Sequence, residues 1–444
     1  VMMNWTTGPS GLAHGIQVTG VKTVVSSSRL VDRLGITIEG AEYVFLENVK
    51  TSIGKIEAFG VLARTYVWPS SFLNSVPHQS ERDTAVFLFT SGSESTPKTV
   101  PLTHLNLLTN IHDSLAVLEP DHTDSLLGFL PPFHSFGLTG NVLLPQLSGI
   151  RSVRYADPTD ASGLVRLIST YKPSLLFTTP TFLGYILANA AGDELQSLRK
   201  IITGAEACPE ATHVLCKQKA AKAIILEGYG ITECSPVVSA NRIDKNKHGS
   251  IGKLVDHVQA KIVNHETMEQ VERGQTGMLL VRGDSIFDGY HAFDGPSPFV
   301  EFEGEQWYRT GDLVSADGDG YFQFKGRLKR FLKAGGEMVS LPALEVPFQK
   351  KFPSGENGPR VAVEGIETPG GRMIVLFTTE ELSFREAADL LLESGMRGVM
   401  RFDAVQRVDS IPVLGTGKTD YKTLRSEVEV MAKESMVTNP TEPV

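Results

Sequence analysis

The sequence predicts an α/β protein: a large N-terminal domain of α/β layers that includes a small β-barrel or hairpin meander, followed by a small α+β C-terminal domain. Three observations predict it. Through about Ile231, short β-branched runs alternate with helical patterns, the signature of βα units around a largely parallel sheet. From Gly249 to Phe324 the pattern changes to short strands separated by Gly/Asp-rich turns such as Asp317-Gly-Asp-Gly320. After the basic stretch Lys325–Lys333, strands and a helix alternate once more, which places a domain boundary near Lys329. The predicted units are therefore 1–328, α/β to about 248 and barrel-like over 249–328, and 329–444. At 444 residues and 48.3 kDa the chain has room for two or three domains of roughly 150 residues, each with its own core.

In the first unit, Val21–Ser26, Val86–Phe89, Ser174–Phe177, Lys200–Ile202 and Ala223–Leu226 read as strands, with helices over Asp160–Tyr171 and Thr181–Ala191. Thr103 can cap a helix on which Leu105, Leu108, Ile111, Leu115 and Leu118 recur at helical spacing. Val258–Val263, Gly277–Arg282 and Gly320–Phe324 are the strands of the second segment. Arg360–Val363, Met373–Thr378 and the helix Ser383–Glu393 build the third. The last dozen or so residues read as a polar, frayed tail.

A net charge of −9 and a pI near 5.7 argue against nucleic acid as a partner, which demands a basic footprint. The three cysteines, Cys208, Cys216 and Cys234, form neither C-x-x-C pairs nor an even framework, so a reducing compartment and no structural zinc are expected. No apolar run of about 18 residues and no leader-like opening occur, so a cytoplasmic protein is expected. The start at Val1 reads as mid-domain, with residues upstream removed.

The most informative stretch is Phe87-Leu-Phe-Thr-Ser-Gly-Ser-Glu-Ser-Thr-Pro-Lys-Thr99. A buried-strand pattern runs into a loop in which Thr90, Ser91, Ser93, Ser95 and Thr96 supply hydroxyls. Gly92, with no side chain, lets an anion approach the backbone amides, and Lys98 adds a charge. Such a loop suits phosphate; alone, it also suits a solvated turn.

Four further motifs follow in order: Pro131-Pro-Phe-His-Ser-Phe-Gly137, Glu227-Gly-Tyr-Gly-Ile-Thr-Glu233, Tyr308-Arg-Thr-Gly-Asp312 and Pro412-Val-Leu-Gly-Thr-Gly-Lys418. Their order and spacing resemble the adenylate-forming superfamily of acyl-CoA synthetases, luciferases and peptide-synthetase adenylation domains. The resemblance implies ATP and Mg²⁺ as cofactors and a mobile small domain. Thr90, Ser91, Gly92, Ser93, Thr96 and Lys98 would then hold phosphates, and Glu233 would bind Mg²⁺. Thr232 would contact the α-phosphate and Tyr229 would stack on adenine, with Gly228 and Gly230 beside it and Gly204-Ala205-Glu206 along the base. Asp312 would accept both ribose hydroxyls, with Arg327 nearby. Lys418 would bridge the acid and the α-phosphate, and Lys329 would be the hinge. Lys333-Ala-Gly-Gly-Glu337 would be the loop that swings in for the second half-reaction.

His134, with Phe133, Phe136, Gly137 and Leu138, resembles the segment that lines the acyl pocket. The phrases Pro131–Thr139, Leu226–Pro236 and Gly335–Leu341 look closest to bacterial acyl-acyl-carrier-protein synthetases. That family activates long-chain fatty acids, loads the phosphopantetheine thiol of holo acyl carrier protein, and in several members follows a lysophospholipid acyltransferase domain. A fatty substrate would also fit transient contact with the inner face of a membrane. Arg327, Lys329, Arg330, Lys333, Lys350 and Lys351 would offer an acidic carrier a basic surface. Long-chain acyl-CoA synthetase, with coenzyme A as acceptor, is the alternative within the class. Outside it stand an inactive binding remnant and a P-loop NTPase. The latter is disfavoured because Gly415-Thr-Gly-Lys-Thr419 has Pro412 where the motif needs glycine. The chain departs from the superfamily at Ser95 and Thr99, where glycine is usual.

Overall fold

The computed structural model describes the chain except residues 36–37, 39, 91–96, 335–336, 356–357, 369–370, 415–417 and 439–444. Its centre is a seven-stranded sheet in the order Lys253–Leu254, Val237–Ala240, Ile224–Gly230, Lys200–Thr203, Leu175–Thr178, Ser125–Gly128, Arg151–Arg154. The last five of these pair in parallel, and the first two are antiparallel additions. Lys253–Leu254 thus closes the large sheet, although the sequence pattern assigned everything after Gly249 to the barrel-like segment. Two residues are too short a run to carry a period, so pairing decides their place.

The central strands Ser125–Gly128 and Leu175–Thr178 are buried at every position, as two-sided coverage by helices requires. Asp160 caps Ala161–Tyr171 by accepting from Gly163 N at 2.8 Å, and Thr179 caps Pro180–Asn189, whose first residue is a proline with no amide to satisfy. Leu164, Ile168, Phe182, Leu183 and Ile186 of these helices meet Leu126, Leu175 and Ile201 of the sheet in the main core.

One expectation fails here and another holds in part. The strand Thr84–Phe89 does not join the parallel sheet; it pairs antiparallel with Thr99–Thr103, so the hydroxyl-rich segment connects two paired strands rather than a strand and a helix. The helix His104–Leu118 does carry the Thr103 cap, with a reciprocal bond from Thr103 N to Asn106, and Ile111 and Leu118 of its apolar spacing are buried, but its buried face is wider than that spacing and partly polar. Leu108 is exposed, while Asn106, Asn110, Asp113 and Ser114 are buried. Asn106 Nδ2 donates to Asp284 O and Ile286 O, and Asn110 Nδ2 to Cys234 O and Val237 O. A polar stripe can face inward where loops offer it carbonyls.

Residues 259–327 form an antiparallel sheet of five strands in which Glu305–Ala316 pairs with Gly277–Arg282, Phe299–Phe302 and Phe322–Arg327. A 3₁₀ turn, Leu328–Arg330, leads out of it. Beyond the turn, Val361–Thr368, Gly371–Thr378 and Ala404–Arg407 make a three-stranded sheet flanked by the helices Leu341–Lys351, Phe384–Glu393 and Tyr421–Thr438. No helix among the described residues is long and apolar enough to cross a membrane.

In that last unit Arg330 is drawn inward. Its guanidinium lies 3.1 Å from Glu345 and 3.7 Å from Glu364, donates to Val363 O at 2.7 Å, and sits over the Tyr421 ring at 3.5 Å. Burial pushes the Glu364 carboxyl up to about 7 despite Arg330. A carboxyl raised above its unfolded value adds stability that is complete below about pH 4.5 and is lost as pH rises through about 7, here on the order of 3 kcal/mol. Thermal unfolding is therefore expected to fall more steeply from pH 5 to pH 8 in the wild-type chain than in Glu364→Gln; parallel profiles would sink this assignment.

Candidate active site

A cavity of about 1870 Å³ lies where the large sheet, the antiparallel sheet and the C-terminal unit meet. Thr90, Lys98, His134, Gly204, Ala205, Glu206, Gly228, Tyr229, Gly230, Thr232, Glu233, Arg327, Lys329 and Lys418 all line it. Such a volume exceeds the roughly 300–1,000 Å³ of a site for one small molecule, so more than one substrate fits. Ser91, Gly92, Ser93 and Thr96 lie outside the described residues, as do Gly335, Gly336 and Gly415–Gly417.

The neck of the hairpin loop is defined. Thr90 N donates to Lys98 O at 3.0 Å, and Lys98 N donates to Thr90 Oγ1 at 3.1 Å, which brings the two ends of the loop together. Lys98 Nζ rests 4.4 Å from the Tyr290 ring centre and 4.6 Å from that of Phe293, a cation–π seat that holds the ammonium without neutralising it. Tyr290 in turn donates its hydroxyl to Glu233 Oε1 at 2.8 Å and lies 3.4 Å from the Tyr308 hydroxyl. One aromatic ring therefore links the loop lysine to the acidic end of Glu227–Glu233. Nothing in the sequence marks Tyr290 and Phe293, because an aromatic pair in a Gly/Asp-rich connection carries no period or motif.

Glu233 is buried on the 3₁₀ turn Thr232–Cys234, where its backbone oxygen also accepts from Phe287 N. A buried carboxylate facing a lysine-bearing loop across a cavity is a hard oxygen donor of the kind that holds Mg²⁺ beside phosphates. Thr232 Oγ1 lies 3.5 Å from Ser135 Oγ, which ties this turn to the histidine segment.

Asp312 sits immediately behind the wall rather than on it. It is 1% exposed, accepts from the Tyr229 hydroxyl at 2.5 Å through Oδ2, and faces Arg327 Nε at 3.1 Å through Oδ1. Oδ2 is taken by Tyr229, whereas Oδ1, though ion-paired, accepts no hydrogen bond, so a bidentate grip on a ribose needs only Tyr229 to yield. Tyr229 also lies nearly parallel to Phe324, ring centres 5.9 Å apart. Burial raises the carboxyl of Asp312, and the Arg327 guanidinium opposes that rise.

Lys418 reaches the same cavity from the C-terminal unit. Burial lowers its ammonium below the ordinary lysine range, the carboxylates of Glu206 and Asp312 pull it back up, and Arg327 adds to the lowering. Glu206 is anchored by the Thr181 hydroxyl at 2.7 Å, next to Ala205, whose φ of 75° is rare for a residue with a side chain.

His134 is pushed down to about 3 by burial, with the Lys418 charge adding to it, so its ring is neutral at physiological pH. Its Nε2 is buried without a hydrogen-bond partner, and its ring packs on Phe133 at 4.6 Å. A π-helical turn, Gly137–Leu143, follows. Gly137 is required there: a Cβ would stand 2.1 Å from Pro131 O. Beyond His134 the wall turns apolar, with Leu118, Phe136, Phe177, Tyr185, Ile202 and Leu215.

The basic surface anticipated for an acidic carrier is smaller than its sequence suggests. Arg330 is paired inside the C-terminal unit and Arg327 is paired with Asp312. Lys350 and Lys351 are exposed, and the side chain of Lys333 is outside the described set.

Comparison with known proteins gives one consistent result. The chain is 29% identical over 363 residues to a probable 4-coumarate–CoA ligase 3 of Dictyostelium discoideum, across 78% of this chain and 63% of that protein. It is 32% identical over 266 residues to a long-chain-fatty-acid–CoA ligase of Bacillus subtilis, across 58% of this chain and 46% of that one. The chain thus spans less than two thirds of the length of these relatives. Its fold matches the crystal structure of ATP-bound MatB from Rhodopseudomonas palustris with a TM-score of 0.77 at 23% identity, over 96% of this chain and 82% of the other. The signature of AMP-binding enzymes matches residues 1–291, and the chain belongs to that family.

Proposed function

We propose that the chain is an AMP-forming acid–thiol ligase that activates a fatty or other apolar carboxylic acid with ATP and passes the acyl group to coenzyme A. The observation that carries the reading is the convergence of Lys98, Glu233 and Lys418 on one cavity whose far wall is apolar. In the first step a carboxylate oxygen bonds to the α-phosphorus and pyrophosphate leaves. In the second a thiol sulfur bonds to the acyl carbon and AMP leaves.

The first step sets anion against anion, so fixed positive charge lowers its barrier. Lys98, Thr90 and the hydroxyl loop Ser91, Gly92, Ser93 and Thr96 hold the β- and γ-phosphates. Thr232 contacts the α-phosphate, and Lys418 bridges it to the acid. Glu233 is the residue suited to Mg²⁺, which when bound supplies charge neutralisation at phosphate oxygens. Gly204, Ala205, Glu206, Gly228, Tyr229 and Gly230 lie along the base, and Asp312 with Arg327 serves the ribose. Neutral His134 borders the acyl chain, where an imidazolium would disfavour an apolar occupant. Residues 329–444 form the moving unit, with Lys329 at its hinge.

Coenzyme A replaces acyl carrier protein as the first-choice acceptor. The named relatives are CoA ligases, and two of the six charges expected to receive a carrier are paired internally.

The test supplies ATP and Mg²⁺ with palmitate or 4-coumarate, and coenzyme A or holo acyl carrier protein. Pyrophosphate, AMP and acyl-CoA are expected. Product with the carrier alone would move the acceptor back to acyl carrier protein; ADP and phosphate, or no pyrophosphate with either acid, would overturn the ligase reading.

A further inference from the structure

Behind the adenine-side turn, three segments far apart in sequence bring two imidazoles and a carboxylate together. His213 lies on the helix Glu210–Lys219, Glu227 on the strand Ile224–Gly230, and His248 in the connection from Ala240 to Lys253. His213 Nε2 is 3.4 Å and His248 Nδ1 is 3.9 Å from the same oxygen, Glu227 Oε1. The two rings stand edge to face with centres 4.1 Å apart, and the three ligand atoms lie within 4.8 Å of one another. His213 Nε2 is buried and makes no hydrogen bond, although Glu227 Oε1 stands 3.4 Å away.

The remaining atoms are already arranged as an outer shell. His248 Nε2 meets Glu210 Oε2 at 2.5 Å, which keeps the ring proton on Nε2 and turns the Nδ1 lone pair toward Glu227. Glu227 Oε2 accepts from Cys208 N at 3.3 Å, leaving Oε1 to the imidazoles. A carboxylate–histidine pair of this kind is the usual way a protein fixes the tautomer of a metal ligand.

We infer that His213, Glu227 and His248 form a binding site for one zinc ion, with Glu210 as a positioning residue. Tetrahedral zinc with donors at about 2.0–2.2 Å places ligand atoms about 3.4 Å apart, so closure asks about half an ångström between His248 and Glu227 and at most about 1.4 Å between the two imidazoles, within reach of a rotation of the exposed His248 ring. Side-chain exposure is 14% for His213, 12% for Glu227 and 51% for His248, which leaves an open side for a water as fourth ligand. Two imidazoles favour zinc over magnesium, whose preference is for oxygen. The ion would join the helix, the strand and the loop, and through Glu227 it would brace the turn at Cys208.

A second cluster, His112, Asp113 and His257, has similar composition and serves as the control. There His257 Nδ1 meets Asp113 Oδ1 at 2.6 Å, so the facing ring nitrogen carries a proton rather than a lone pair.

The experiment is equilibrium dialysis of the full chain against micromolar Zn²⁺ with elemental analysis, which does not depend on ligase activity. A single zinc per chain is expected. His213→Gln and His248→Gln should each weaken binding at least about tenfold, and His112→Gln should leave it unchanged. If the variants fail to fold, diethylpyrocarbonate labelling of the wild-type chain replaces them: zinc should protect His213 and His248 and leave His112 reactive. Zinc binding unaltered by both substitutions, labelling unaltered by saturating zinc, or no zinc retained by the wild-type chain would overturn the inference.

Discussion

Lys418→Ala is expected to slow adenylate formation by about 10²- to 10³-fold, the usual cost of removing one preorganised charge from a reacting centre. Transfer of the acyl group from a preformed adenylate should stay near the wild-type rate. The asymmetry follows from position. Lys418 enters the cavity from the C-terminal unit, and its ammonium interacts there with Glu206, Asp312 and Arg327. In the proposed reaction only the step that brings carboxylate and phosphate together needs a cation there. Because burial lowers its proton affinity, the alkaline decline of the first step should also begin at lower pH than for an ordinary lysine. ATP–pyrophosphate exchange and thioester formation from synthetic acyl adenylate measure the two halves separately. Equal loss in both would remove Lys418 from this role.

Asp312→Ala should cost about 1–3 kcal/mol of stability and abolish saturable ATP binding at concentrations that saturate the wild-type chain. Its carboxylate is the buried partner of both the Tyr229 hydroxyl and Arg327. Removing it strands a hydroxyl that has no water to turn to and releases a half-exposed guanidinium. Asp312→Asn separates the two effects, since an amide oxygen still accepts from Tyr229 while the charge is gone. Denaturant unfolding and nucleotide titration of both variants check this; an Asp312→Ala chain as stable as wild type would show that the pair carries no net stability.

Much of the architecture was legible from local pattern. Gly277–Arg282 and the core of Lys200–Thr203 stand where their short apolar runs put them, and Asp160, Thr103 and Ser383 cap their helices because a short polar side chain before an apolar period has one favourable use. Most motif residues meet at one cavity, since short strand-end segments are where an open α/β sheet gathers its ligands. Other features depend on contacts between residues far apart in sequence. The hairpin pairing of Thr84–Phe89, the inward polar stripe of His104–Leu118 and the withdrawal of Arg330 from the surface are examples. So are the Lys98–Tyr290–Glu233 link and the His213–Glu227–His248 cluster. Cysteine spacing along the chain suggested no structural zinc, yet imidazoles 35 residues apart converge on a strand carboxylate. The reason is physical: capping and periodicity act over a few residues and are written in order, whereas charge pairing, tautomer and desolvation depend on which distant groups the folded chain brings within a few ångströms.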